Sequence, residues 1–178
     1  MEYVAEMEIR GFADTKCAPS LVSENRQIRR PGDLPAIYEA HRDRVYGLAF
    51  WMTDNELTAE EISVRVFARA FRRPGIANAD SIDRILVQEF RDLTSIGQLT
   101  LEGTVATRRG IAGNTRRIHL ERAVVQLPST ERLAFLLHDG EGYEHERIAK
   151  LLGITVDESQ RAVLFARIQI RELVATMI

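Results

Sequence analysis

The chain has 178 residues, with 24 basic side chains against 26 acidic ones and a formal net charge of −2. That balance excludes a protein that coats nucleic acid by bulk electrostatics, because such chains are strongly basic. A composition 45% hydrophobic and 28% charged supplies a core, and the single cysteine, Cys17, excludes an internal disulfide or a cysteine-built zinc site.

No apolar run approaches the ~20 residues of a membrane span. The acidic start, Met1-Glu2-Tyr3-Val4-Ala5-Glu6, is unlike a secretory signal, so the expectation is a cytoplasmic protein. Residues 1–33 mix short apolar stretches with Gly11, Pro19, Pro31 and Gly32 and read as an amino-terminal extension. From 34 to 98 the pattern is helical. Ile37, Val45, Leu48, Ala49 and Met52 recur at three- and four-residue steps, which gives a helix ending near Thr53-Asp54-Asn55. A second helix is expected after Thr58 as its cap, with Glu60 and Glu61 in the dipole-favoured first turn. It would bury Ile62, Val66, Phe67, Ala70 and Phe71. A third helix from about Asp80 carries Ile82, Ile85, Leu86 and Phe90.

Residues 99–116 hold Gly103, Gly110 and Gly113 without sustained periodicity and read as a linker. Its Arg108 and Arg109 either touch nucleic acid or are simply solvated. From 117 to 178 the helical pattern returns. Leu120, Val124 and Leu127 form a helix stopping at Pro128, and Ser129 is expected to cap the next, through Leu133, Leu136 and Leu137. Asp139-Gly140-Glu141-Gly142 has too few oxygen ligands for a calcium loop and reads as a turn. A short helix, Glu144 to Leu152, is closed by Gly153, and a last helix after Thr155 buries Val163, Ala166, Ile170 and Val174. A short helix, the turn Gly153-Ile154-Thr155 and a longer helix form the helix-turn-helix pattern. The fold class is therefore all-α, with two small helical domains and a helix-turn-helix in the second.

No nucleophile elbow, phosphate loop or dinucleotide fingerprint occurs, so the chain is not expected to be an enzyme or to carry a cofactor. His145 lacks the i, i+4 partner of a zinc helix and reads as part of a solvated helix face. On the last helix Asp157, Arg161, Leu164 and Ile168 share a stripe, flanked by Phe165 and Arg171. Leu164, Phe165 and Ile168 on that stripe either mark a protein contact or lie under another part of the chain.

These segments resemble a bacterial RNA polymerase sigma factor of the extracytoplasmic-function group. "QLPSTERLAFLLHDGEGYEHERIAKLLGI" is similar to the family's fourth region, which recognises the promoter's minus-thirty-five element. "IYEAHRDRVYGLAFWMTDNELTAEEISVRVFARAF" is similar to its second region, which binds the polymerase core and opens the minus-ten element. The resemblance implies a transcription initiation factor whose partners are RNA polymerase core and promoter DNA. Glu60, Glu61, Ser63 and Phe67 would engage the core, and Thr155, Gln160, Arg161 and Arg167 would contact DNA. The sequence also departs from the family. Its recognition helix opens on Asp157-Glu158, and only Phe90 is aromatic in the segment that usually stacks on single-stranded DNA. The alternative is a sigma-like regulatory protein acting through protein contact, by anti-sigma sequestration or by self-association through Leu164, Phe165 and Ile168.

Overall fold

The computed structural model of the chain describes residues 34–72, 77–100 and 116–177. Cys17, Arg29, Arg30, Arg108 and Arg109 lie outside the described residues. All regular structure among the described residues is helical: α1 Leu34–Thr53, α2 Glu56–Ala70, α3 Ala79–Leu93, α4 Arg117–Val125, α5 Ser129–Phe135, α6 His145–Leu152 and α7 Val156–Thr176. A single π-helical turn, Leu136–Gly140, extends α5.

The first three helices pack on one another through the expected apolar faces. Ile37, Val45, Leu48, Ala49 and Met52 of α1 are buried, as are Ala59, Ile62, Val66 and Phe67 of α2. The start of α2 differs from expectation. Asn55 caps it, accepting from the Thr58 backbone N–H at 2.9 Å, so the helix begins one turn earlier than a Thr58 cap would allow. The preceding Asp54 stands at φ 52° and reverses the chain out of α1. Asn78 and Ser81 form a reciprocal capping box at the start of α3.

In the second half α7 packs against α4, α5 and α6. Pro128, at φ −58° and ψ 151°, occupies the cap position of α5, and Ser129 is its first helical residue rather than its cap. The fork of Arg132, in the first turns of α5, reaches back to other helices. It donates to the carbonyls of Val125 and Leu127 at the end of α4, and to Met52 O at the end of α1, 3.1 Å away. The cation thus satisfies carbonyls that two helices leave open. Gly153, at φ 68°, closes α6 in the left-handed conformation, and its successor Ile154 donates to Ala149 O.

The apolar interior is one cluster drawing side chains from all seven helices. None of the described helices is long and apolar enough to cross a membrane.

Candidate functional site

The outer face of α2 combines charge with exposed apolar surface. Glu60 and Glu61 are exposed, as expected of contact residues, and they are flanked by Leu57 one turn before, 72% exposed, and Val64 one turn after, 69% exposed. One turn apart twice over, Leu57 and Val64 share a side of the helix with Glu60 and Glu61. Sequence reasoning missed both, because apolar residues on a helix are assigned to its core face until packing shows otherwise. The Ser63 hydroxyl donates to Ala59 O at 2.8 Å, and the Phe67 ring lies inside, edge-on to Tyr38 at 4.8 Å between centroids. Glu61 and Arg65 are paired only loosely, at 3.7 Å. Arg65 and Arg69 instead converge on the buried carboxylate of Glu89, from α3, at 2.9 and 2.5 Å.

At the other end of the chain, the amino-terminus of α7 is open to solvent. Thr155 accepts from the Glu158 backbone N–H, and Glu158 accepts in return from the Thr155 N–H at 2.7 Å and its hydroxyl at 2.9 Å. Those bonds hold the Glu158 carboxyl below the usual carboxylate range. Thr155, Val156, Asp157, Gln160 and Arg161 are exposed along this face. Arg161 pairs with Asp157 at 3.1 Å, both in solvent. Arg167 is turned inward: its fork holds Asp139 of the π-turn in a bidentate pair at 2.6 and 2.9 Å. Burial alone would raise the Asp139 carboxyl, but its bonds to Arg167 and His138 bring it below the ordinary value. Leu164 is 49% exposed, whereas Phe165 and Ile168 are half-buried.

His145 is not on a solvated face. Its ring stacks on His138 with centroids 4.4 Å apart, and its Nδ1 lies 3.1 Å from the hydroxyl of buried Ser159. The pair ties the π-turn, α6 and α7 together. Burial, then the neighbouring His138, keep His145 below the ordinary histidine value. Among the described residues no group of three or more His, Cys, Asp or Glu could hold a metal ion.

On α3, Phe90 is 1% exposed and Arg91 is committed to the carbonyls of Leu151 and Leu152. The described part of α3 therefore offers no exposed aromatic ring for stacking on a base. A helix-turn-helix presents the start of α7, and α2 presents an acidic, partly apolar stripe.

Residues 117–170 match the family described as Sigma-70, region 4. The chain is 28% identical over 152 residues to the ECF RNA polymerase sigma factor SigE of Mycolicibacterium smegmatis, a match covering 76% of this chain and 59% of that protein. It thus spans about three-fifths of the length of that curated relative. Its fold is similar to that of the sigma factor RpoE, solved in complex with the anti-sigma factor NepR from Bartonella quintana. There the TM-score is 0.61 and the identity 16%, over 80% of this chain and 97% of that one.

Proposed function

We propose that the chain is a cytoplasmic sigma-type transcription initiation factor of the extracytoplasmic-function group, a reading supported by its region-4 segment, its likeness to SigE and its fold. In this reading residues 34–98 form the core-binding domain, 99–116 the linker and 117–178 the promoter-reading domain. The observation that carries it is the helix-turn-helix of α6 and α7, its capped α7 start exposed at Thr155, Gln160 and Arg161. The recognition helix enters the major groove with these residues toward base edges and phosphates. Arg167 serves a different end, holding the π-turn to α7 through Asp139.

Polymerase core binds the outer face of α2. Leu57 and Val64 supply desolvated contact, and Glu60 and Glu61 form its charged rim. Phe67 contributes by fixing α2 against α1 from within. The chain carries out no chemistry itself; polymerase does. An anti-sigma factor is a further partner, a reading supported by the likeness to a sigma factor solved with one. Self-association through Leu164 has the smaller support, because only Leu164 of its three residues is exposed.

A second reading, a regulator acting through protein contact with little DNA binding, is favoured by two observations. The sole aromatic of α3 is interior, and Arg161 and Arg167 are both paired with carboxylates. Run-off transcription with reconstituted core polymerase over a promoter library separates the two. The sigma reading expects specific transcripts that require this chain; core that binds the chain yet yields no transcript on any template supports the regulator.

A further inference from the structure

The contacts between the two halves centre on one carboxylate. Asp83 of α3 is 2% exposed, and three groups from α1, α6 and the loop before α6 converge on it. Arg44 of α1 lies 2.6 Å away, Arg147 of α6 2.7 Å away, and the Tyr143 hydroxyl, just before α6, donates at 2.8 Å. Arg44 also donates to the Tyr143 oxygen at 2.8 Å, and the Arg147 guanidinium lies over the Tyr143 ring, 4.1 Å from its centroid. Arg147 reaches the exposed Asp80 as well. The π-turn places Tyr143 there: Glu141, Gly142 and Tyr143 donate back to Leu136, His138 and Leu137, with Gly142 at φ 70°.

The far end of α6 is held too. Arg91, two turns along α3 from Asp83, donates to the last carbonyls of α6, Leu152 at 2.8 Å and Leu151 at 3.3 Å. So α6, the first helix of the helix-turn-helix, is pinned at both ends to α3. Further ties join the halves, among them Arg132 to Met52 O and the Gly97 N–H to the Thr130 hydroxyl. These ties are polar, and they lie beside apolar packing, since the buried cluster runs through both halves.

We propose that the Asp83 cluster is an interdomain latch: it holds the helix-turn-helix against the amino-terminal bundle in a closed state that must release before both halves can engage DNA together. The second part rests on the sigma reading. Promoter elements about 25 base pairs apart lie roughly 85 Å apart at 3.4 Å per pair. Packed helices lie only 8–10 Å apart. The face of α7 is open in the closed state, so the latch governs the span of the chain rather than access to the recognition helix.

Buried ion pairs suit a switch. Solvation of the freed charges nearly offsets their lost attraction, whereas removing one partner leaves the others buried and uncompensated. Asp83→Asn leaves the buried Arg44 without its carboxylate and takes from Arg147 its tie to α3's interior, and thereby favours the open state, while Arg84→Ala on the same helix should do nothing. Arg84 is exposed, and its Nε donates only to its own helix, at Asp80 O.

Single-molecule energy transfer on the full chain tests the latch, with Cys17→Ser and labels at Ala68→Cys in α2 and Arg122→Cys in α4, both exposed positions. The parent and Arg84→Ala should show one high-efficiency population. In Asp83→Asn the open-to-closed ratio should rise about a hundredfold. The double variant Tyr143→Phe, Arg147→Met, which keeps the apolar bulk, guards against misfolding and should open as well, with helix content by circular dichroism unchanged. Folded variants with the parent's distance overturn the latch. Opening without any transcript from core polymerase leaves the latch standing and overturns the sigma reading instead.

Discussion

Beside Asp83 and Arg44, the Glu141 carboxyl is taken out of water by the π-turn, and burial raises it to about 7 from an ordinary 4.5. Arg44 opposes that shift and Asp83 adds to it. The folded state therefore binds this proton more tightly than the unfolded one. Its contribution is fully present below about pH 4.5 and is lost as pH rises through about 7, on the order of 2–3 kcal/mol. His41 and His145, both lowered chiefly by burial, act oppositely and lose stability as pH falls. They cancel when the parent is compared with Glu141→Gln. In urea unfolding at several values between pH 5 and 8, the parent should weaken relative to the variant as pH rises; parallel curves would show that the carboxyl is solvated. Nothing in the sequence announced this group. Flanked by two glycines it reads as a turn residue in water, and only the neighbours brought by α1 and α3 change its proton affinity.

Elements whose signals are local were the legible ones. The stop at Gly153, the cap at Thr155 and the buried stripe Val163, Ala166, Ile170 and Val174 all stand in the structure as the spacing implies. The αL conformation at Gly153 gives this a test. A Cβ there is strained at φ 68° and would sit 3.3 Å from Arg91 Nη2, displacing the guanidinium that closes α6. Gly153→Ala should cost about 1–2 kcal/mol by urea denaturation. Unchanged stability would mean that the α6 terminus does not depend on that turn. Element starts were less legible where two candidate caps compete. Asn55 and Thr58 both favour caps, and the left-handed Asp54 that selects Asn55 has no strong sequence mark. His145 was misread for another reason: its partners, His138 and Ser159, come from the π-turn and α7, and periodicity within α6 contains neither.

At the scale of the molecule, both helical blocks were legible and their mutual attachment was not. Asp83 lies between Ile82 and Arg84, where a helix pattern assigns a solvated carboxylate; it is buried because Arg44 and Arg147, from distant parts of the chain, meet it there. Arg91 and Arg132 likewise serve as caps for helices far along the sequence, which no local pattern marks. The same limit hid Leu57 and Val64, whose exposure emerges only once α1 and α3 have covered the other faces of α2. Under the proposed function those two side chains meet polymerase core. The most direct test of that contact is fluorescence anisotropy of the labelled full chain titrated with core polymerase, beside the double variant Leu57→Asp, Val64→Asp. The prediction is saturable binding by the parent and affinity at least about tenfold weaker for the variant, with unchanged helix content. Absence of binding by the parent, or equal binding by the two, would contradict it.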